Sequence, residues 1–276
     1  MQVIAQGNLS KMPAQLGDEV SYQLSLGENR IELNQYLGRP VRLSYLGEIN
    51  CCHCGRKTKK SFAQGYCYPC FAKLPQCDRC IMSPEKCHFH LGTCRDPQWG
   101  EQFCFQSHYI YLANSSGVKV GITRGTQVPT RWIDQGAIQA LPILKVDSRY
   151  QSGLIERIFA EHVSDKTNWR AMLKGQVDPL DLLAERDRLF ELCHEDLTAV
   201  EQEFGIQAIQ RQPDAEVTSI HYPVLNYPHK VSTHNLDKTP VVEGVLQGIK
   251  GQYLILDTGV INIRKFGSYQ VEFSAG

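Results

Sequence analysis

Cysteines crowd into one segment of the sequence, and this cluster constrains the fold more than any other feature. Ten of the eleven cysteines lie within residues 51–104. The N-terminal residues show no basic stretch followed by an apolar core, so we expect a cytoplasmic protein with reduced thiols. Dense Cys-x2-Cys pairs in that compartment indicate metal ligands rather than disulfides. No apolar run reaches membrane-spanning length, so we expect no membrane partner.

The stretch CCHCGRKTKKSFAQGYCYPC contains two Cys-x2-Cys pairs, Cys51/Cys54 and Cys67/Cys70, separated by twelve residues. A Cys-x2-Cys turn lets two thiolates converge on one ion, and two such pairs complete a tetrahedral zinc site. We therefore predict a zinc site formed by these four cysteines. Cys52 is an alternative ligand to Cys51, and the sequence leaves that choice open.

A second group of candidate ligands follows in residues 77–108. The predicted ligands of a second zinc ion are Cys77, Cys80, Cys87 and Cys94. His90 and Cys104 compete for the last two positions. His108 is a further zinc ligand, a proton shuttle or a structural strand residue. Both sites offer four protein ligands and no position for water, which is typical of structural rather than catalytic zinc.

The charge of the chain is balanced in total but not along its length. Basic and acidic residues number 29 each, so the net charge gives no indication of a nucleic-acid partner. Residues 51–76, however, contain no acid. Their basic residues are Arg56, Lys57, Lys59, Lys60 and Lys73. A basic zinc module of this kind can contact phosphates, and it can also be a pure scaffold.

The order of apolar and turn-forming segments predicts an α+β protein in four parts. Residues 1–50 are expected to form short strands, and residues 51–104 the zinc-binding module. Residues 105–210 are expected to form a central α/β domain that includes a long helix. Residues 211–276 carry strand runs separated by glycines, which predicts a small β-barrel-like domain. The N-terminal strands are candidates to complete that domain.

Two helices of the central part have predicted boundaries. Ser152 is the expected N-cap of the helix SGLIERIFAEHV. A single long helix is expected from Pro179 to Phe204, with Asp178 as its N-cap. Its predicted apolar stripe consists of Leu183, Phe190, Leu197 and Phe204, with Cys193 and Val200 between them. Cys193 is then a small core residue.

The hairpin sequence YIYLANSSGVKVGIT resembles the two-strand signature of the GIY-YIG nuclease superfamily. Tyr109-Ile110-Tyr111 matches the first strand and Lys119-Val120-Gly121 the second. The leading glycine is absent, and lysine stands in place of the second tyrosine. Downstream, Arg131 in PTRW and Glu156 in GLIERIF match the catalytic arginine and the metal-binding glutamate of that superfamily. Asn168 matches a polar residue that often follows.

The resemblance implies a central GIY-YIG-like domain with a nuclease site. Its catalytic residues would be Tyr109, Tyr111, Lys119, Arg131, Glu156 and Asn168. Glu156 would bind Mg2+ or Mn2+. The reaction would be metal-dependent hydrolysis of a phosphodiester bond in nucleic acid, with DNA favoured over RNA as the substrate. The cysteine-rich segment and the tail GIKGQYLILDTGVINIRKFG also resemble an uncharacterised bacterial family that contains a zinc ribbon.

The residues that match the nuclease signature can form a catalytic site, and they can also have ordinary structural or surface roles. Tyr109 and Tyr111 share one strand face, and we expect Lys119 and Arg131 to lower the pKa of the tyrosine. The same residues can be strand aromatics and surface cations, and Glu156 a solvated glutamate. The alternative function is therefore a non-catalytic, zinc-containing nucleic-acid-binding protein with a degenerate nuclease fold. A scaffold without a nucleic-acid partner is the third hypothesis.

Overall fold

The structure is a computed structural model that describes residues 1–163 and 167–276. It is a mixed α+β fold, as the sequence predicts. The α-helices are α1 (Tyr68–Lys73), α2 (Pro97–Cys104), α3 (Thr130–Asp134), α4 (Arg149–Ala160), α5 (Trp169–Leu173), α6 (Leu182–Leu192) and α7 (His194–Phe204). Short 3-10 turns lie at Asn34–Tyr36, Pro75–Cys77, Arg79–Ile81, Pro84–Lys86, Phe89–Leu91, Gly125–Gln127 and Ile263–Phe266. Within the described ranges, no helix has the length and apolar character needed to cross a bilayer.

The strands are distributed over three sheets. They are β1 (Gln2–Asn8), β2 (Ala14–Gln15), β3 (Ser21–Leu26), β4 (Asn29–Glu32), β5 (Pro40–Ile49), β6 (His108–Asn114), β7 (Val118–Arg124), β8 (Gln139–Val146), β9 (Gln210–Arg211), β10 (Thr218–Ser219), β11 (Val241–Lys250), β12 (Tyr253–Leu256), β13 (Gly259–Asn262) and β14 (Tyr269–Ala275). The small sheet has the order β2-β3-β4.

The largest sheet joins the two ends of the chain. Among the described residues it has six strands in the order β1-β14-β5-β11-β12-β13, with antiparallel neighbours. Strand β14 shows why it forms, because Val271 and Phe273 alternate with polar residues and point into the core. No pairing between the described residues joins β1 to β13, so the sheet is open. The predicted barrel-like domain is thus a sheet with two edges.

The central sheet carries the candidate catalytic hairpin. Its path runs β10-β8-β6-β7, and β9 also pairs with β8. Tyr111 lies opposite Gly121 and Ala113 opposite Lys119, so these side chains share one face. That face packs on the core of the large sheet, while Ile110 on the other face packs on α4. Strand β6 is therefore buried on both sides.

Helix α4 begins four residues earlier than the sequence predicts. Its N-cap is Ser148, whose hydroxyl accepts a hydrogen bond from the Gln151 backbone N–H, and the Gln151 side chain accepts one from the Ser148 backbone N–H. This reciprocal pair is a capping box. The predicted cap, Ser152, lies inside the helix, where its buried hydroxyl donates to the Arg149 carbonyl at 2.7 Å. The prediction was wrong because the same residue type occurs twice within one turn.

The predicted long helix is divided into α6 and α7, which meet at Cys193. The N-cap is Asp181 rather than Asp178, and its carboxylate accepts from the Ala184 N–H at 3.0 Å. Cys193 is fully buried, as predicted. The buried positions of the stripe are Leu182, Leu189, Cys193, Leu197 and Val200. Their spacings of seven, four, four and three residues follow the helical period, and Leu183 of the predicted seven-residue series is 41% exposed.

The cysteine-rich segment lies between the large sheet and α4. On the sheet side, Ser61 donates to the Gly267 carbonyl at 3.0 Å and Ser268 donates to the Gly65 carbonyl at 2.8 Å. On the other side, the Pro84–Lys86 turn contacts α4 at Gly153, where an added Cβ would lie 2.6 Å from the Glu85 backbone nitrogen. Only glycine permits this approach. The segment therefore joins the large sheet to the helix that carries Glu156.

Candidate functional site

The first predicted thiol site is assembled in the structure. The sulfur atoms of Cys51, Cys54, Cys67 and Cys70 all lie within 4.8 Å of one another. The Cys54 and Cys67 sulfurs are 3.7 Å apart. Four sulfurs at a zinc–sulfur distance of about 2.3 Å in a tetrahedron are separated by about 3.8 Å. This group of four therefore fits one tetrahedral metal ion.

Backbone donors around Cys51 favour its thiolate form. Burial acts to raise the pKa of Cys51, but backbone N–H groups of His53, Cys54 and Cys67 outweigh burial and lower the pKa to about 6. The Cys67 N–H donates to the Cys51 sulfur at 3.2 Å. Cys52, the alternative ligand in the sequence, turns away, and an added Cβ at Gly65 would lie 2.9 Å from its sulfur. Of the two adjacent cysteines, Cys51 is therefore the one positioned as a ligand.

The second predicted group is arranged differently from the first. The ligand atoms of Asp78, Cys80 and His88 lie within 4.8 Å of one another. Asp78 and His88 were not among the predicted ligands, and neither has a spacing signal in the sequence. Cys77 is buried and interacts electrostatically with Cys51 and Cys52 of the first region. The residues predicted as one set, Cys77, Cys80, Cys87 and Cys94, thus divide between two places.

Tyr111 lies at the centre of the predicted catalytic residues. Its side chain is fully buried, and its hydroxyl donates to the Gln135 side-chain carbonyl at 3.0 Å. The phenol passes over Gly121, where an added Cβ would lie 2.6 Å from the hydroxyl oxygen. Glycine in the second strand is therefore required by this ring. No sequence pattern identifies Gln135 as the partner of this hydroxyl.

The electrostatic surroundings of Tyr111 include two of the predicted residues. Burial raises the pKa of Tyr111 to about 12, and Glu156 adds to the increase, whereas Arg131 opposes it. Arg131 lowers this pKa as expected, but the net direction is opposite to the prediction, because removal of the phenolate from water outweighs the attraction of Arg131. Both Arg131 and Glu156 are half-buried. The structure thus brings Tyr111, Arg131 and Glu156 together.

Lys119 lies on the same strand face as Tyr111 but is held by a different loop. Its side chain is 4% exposed, and its amine donates to the Thr167 hydroxyl at 2.7 Å. Thr167 also bonds to the Ser115 hydroxyl at 3.1 Å. These contacts fasten the turn of the hairpin to the chain that precedes α5. Lys119 is therefore a buried side chain and not an exposed surface lysine.

The remaining predicted residues have contacts of their own. Tyr109 is half-buried, with its ring against Gly125. Asn168 is the exposed N-cap of α5 and accepts from the Ala171 N–H at 3.2 Å. His108 is fully buried, and its Nδ1 lies 2.6 Å from the Gln106 carbonyl oxygen. Burial lowers the pKa of His108 to about 4, which describes a neutral structural histidine.

Positive charge converges on Arg131 from elements that are distant in sequence. Burial lowers the pKa of Arg149 on α4, and the nearby guanidinium groups of Arg124 and Arg131 lower it further. Burial also lowers the pKa of Arg264, which follows β13, and again Arg131 adds to the effect. No motif links these four arginines, so sequence analysis did not identify them as a group. Their mutual repulsion favours an anionic ligand at this position.

Comparison with known proteins gives one family. No curated protein and no solved structure matches the chain. Residues 38–271 match the family described as protein of unknown function (DUF2797). Since this match spans most of the chain, including the cysteine-rich segment, the central sheet and most of the large sheet, the protein belongs to the DUF2797 family.

Proposed function

We propose that the protein hydrolyses phosphodiester bonds in nucleic acid with the help of a divalent metal ion. In this proposal β6, β7, α3, β8 and α4 form a divergent GIY-YIG-like domain. The order of these elements supports it, because a hairpin is followed by a helix that carries Arg131 and a later helix that carries Glu156. DNA is the first substrate class to test, and RNA the second.

The observation that carries the proposal is the grouping of Arg131 and Glu156 around one buried tyrosine. The guanidinium groups of Arg149 and Arg264 interact electrostatically with Arg131, and that of Arg124 interacts with Arg149. A phosphodiester supplies the negative charge that such a group attracts. Arginine binds phosphate oxygens through two parallel N–H donors and stabilises the charge that develops during hydrolysis.

Tyr111 has a positioning role in this proposal. A phenol with a pKa of about 12 stays protonated at neutral pH and is not a general base. The ring is also fully buried, which keeps it out of contact with a substrate. Its contacts with Gln135 and its interaction with Arg131 instead fix the guanidinium that grips the phosphate. Lys119, tied to Thr167, holds the hairpin turn beside the site in the same way.

Glu156 is the group that would hold Mg2+ or Mn2+. A single half-buried carboxylate fits this role, because Mg2+ keeps several waters and takes one or two protein carboxylates together with phosphate oxygens. The bound ion would neutralise charge on the phosphate and the leaving oxygen. Glu156 and Arg131 both interact electrostatically with Tyr111, which supports assigning the carboxylate and the guanidinium to one site.

The first thiol site contributes structure rather than chemistry. We assign zinc to it, because four thiolates in a closed tetrahedral arrangement leave no position for water. The segment around it presents Arg56, Lys59 and Lys60 to solvent, while Lys57 pairs with Glu48 at 2.6 Å. These exposed cations are suited to nucleic-acid phosphates outside the catalytic site.

The test is cleavage of supercoiled plasmid, single-stranded DNA and structured RNA by the purified protein with Mg2+ or Mn2+. Arg131→Ala and Glu156→Gln are each expected to lower the cleavage rate by about 100- to 1,000-fold, the magnitude of removing one transition-state contact. The matched controls are Arg42→Ala on the large sheet and Glu161→Gln at the end of α4, both exposed or half-exposed positions. Cleavage that survives in both site variants contradicts the proposal.

A second function is favoured by the burial of the hairpin residues. Tyr111 is fully buried and Lys119 is 4% exposed, so both are enclosed in a way that suits packing better than chemistry. In this alternative the protein binds nucleic acid without cleaving it. Its signature is salt-dependent binding to all three substrates, which Arg131→Ala weakens, with no cleavage under any metal condition.

A further inference from the structure

Cysteines of the second group line one small space within the cysteine-rich segment. Its lining contains four cysteines, and these come from separate turns of the segment. They are Cys80, Cys87, Cys94 and Cys104. The volume is about 20 Å³, which is room for about one water-sized sphere. The walls are completed by Phe89, Trp99 and Gly100, so the space is apolar except for the thiols and the polar groups at its margin.

The four thiols are neighbours of one another. The Cys80 thiol interacts electrostatically with Cys87, Cys94 and Cys104. The Cys104 thiol interacts with Cys87 and Cys94 in turn. Gly100 lies against this group, because an added Cβ would sit 3.5 Å from the Cys94 sulfur and 3.2 Å from the Phe89 ring. All four cysteines line this one space, although they come from separate parts of the segment.

We propose that Cys80, Cys87, Cys94 and Cys104 bind a second zinc ion in a tetrathiolate site. Among the described residues the four sulfurs are not all within 4.8 Å of one another, so binding draws them together and closes the small space. The Cys94 thiol, which now donates to the Asp96 carbonyl at 3.4 Å, turns inward when it ligates. Each ligand contributes a thiolate, and each displaced proton passes to solvent.

Arginine side chains lie near these cysteines, and positive charge suits a zinc–thiolate centre whose net charge is negative. Four thiolates and one Zn2+ carry a net charge of −2. The Arg149 guanidinium faces Cys104 and Cys80, and Arg124 also interacts with Cys104. Arg149 donates through one terminal nitrogen to the Ile81 carbonyl at 2.6 Å, whereas its Nε is buried and has no hydrogen-bond partner in the described structure. This buried guanidinium beside the thiols would offset part of the negative charge of such a centre.

Asp78 and His88 lie near the same space but are engaged elsewhere. The Asp78 carboxylate pairs with Arg95 at 2.7 Å and accepts from the Arg79 backbone N–H. His88 contacts the Thr93 hydroxyl through Nδ1 at 2.8 Å, and its Nε2 is 3.5 Å from Asp78. These groups support the ligand loop from outside the metal. This assignment replaces Cys77 of the predicted ligand set with Cys104.

The experiment measures zinc per chain in the full-length protein after expression with zinc and removal of loosely bound metal. The wild type is expected to hold two ions. Cys104→Ser and Cys87→Ser should each reduce this number to one, while Cys77→Ser, a buried cysteine outside the site, should keep two. One ion in the wild type overturns the proposal. Two ions in Cys104→Ser, with a loss in Asp78→Asn or His88→Ala, overturns the ligand assignment.

A measurement on the wild type covers the case in which a variant does not fold. In native protein the four proposed ligands should resist thiol alkylation and react after a zinc chelator is added, whereas exposed Cys52 should react in both conditions. Alkylation of Cys104 as fast as Cys52 before chelation contradicts the proposal. Neither experiment measures nucleic-acid cleavage, so failure here is independent of the proposed nuclease function.

Discussion

The first thiol site and the Tyr111 site are built in opposite ways. The thiol site takes its four ligands from twenty consecutive residues, and backbone N–H groups of the same stretch favour the thiolate of Cys51. The Tyr111 site takes its groups from β6, α3 and α4 and places its central ring inside the core. Local spacing therefore determines the first site, whereas the packing of the whole molecule determines the second.

The largest effect should come from breaking the local site. Cys51→Ser removes a ligand, and the segment around it has little apolar core to replace the metal. Structural zinc contributes an apparent free energy of roughly 10–16 kcal/mol in zinc-finger peptides, so residues 51–76 should unfold. Loss of one zinc ion per chain and rapid proteolysis within this segment are the expected results. Cys52→Ser is the control and should keep the ion; the reverse pattern would show that Cys52 is the ligand.

The Tyr111 site should respond as part of the core. Tyr111→Ala should lower the free energy of unfolding by about 3–5 kcal/mol, as expected for truncation of a buried aromatic residue. Tyr111→Phe removes only the hydrogen bond to Gln135 and should cost about 1 kcal/mol. Urea unfolding measures both values. Because the phenol positions Arg131, Tyr111→Phe should also reduce any cleavage less than tenfold. A loss as large as that of Arg131→Ala would make the phenol catalytic.

His108 extends the comparison to pH, because its burial depends on the packing of β6. Its pKa falls from 6.5 to about 4 in the folded protein, so the unfolded chain takes up a proton at a higher pH than the folded chain. Stability from this residue is therefore complete above pH 6.5 and decreases as pH falls toward 4, by about 3 kcal/mol in total. Unfolding curves of wild type and His108→Gln at several pH values isolate this difference, since acid release of zinc affects both proteins. If the difference in free energy of unfolding between wild type and His108→Gln does not change with pH, His108 is not buried as a neutral histidine.

The smallest expected effect concerns the start of α4, which positions Glu156. Ser148→Ala removes the capping box and should cost about 1 kcal/mol. Ser152→Ala removes only a bond to the Arg149 carbonyl within the helix and should cost less than half of that value. Thermal or urea unfolding of the two variants decides between the two serines. If Ser152→Ala lowered the free energy of unfolding more than Ser148→Ala, Ser152 would be the N-cap, as the sequence predicted.

Sequence patterns predicted those features of the structure that are determined by residues close together in the chain. The α+β class, the hairpin and the Cys51 site follow from alternation, turn residues and Cys-x2-Cys spacing, all of which act over short distances. The division of the long helix at Cys193 was missed because no glycine or proline marks it in the sequence. The pKa of Tyr111 was given the wrong direction because burial, unlike charge, cannot be read from adjacent residues.

The polar surroundings of the candidate catalytic site were the least predictable feature. Arg124, Arg149 and Arg264 lie far apart in the chain, and no spacing rule connects them to Arg131. Gln135 and Thr167 hold Tyr111 and Lys119, but glutamine and threonine in loops have no distinguishing pattern. Such groups meet only when the central sheet, the large sheet and the cysteine-rich segment have packed together.

The central claim is that Arg131 and Glu156 act on one phosphodiester, and a paired rate measurement tests it most directly. Cleavage of end-labelled DNA with saturating Mn2+ is compared in Glu156→Gln and Glu161→Gln, two variants with the same charge change, one within α4 and one at its C-cap. The proposed site predicts that Glu161→Gln cleaves at the wild-type rate and that Glu156→Gln is slower by at least about 100-fold. Equal rates in the two variants would contradict the site and leave the thiol centres as the chemistry of this protein.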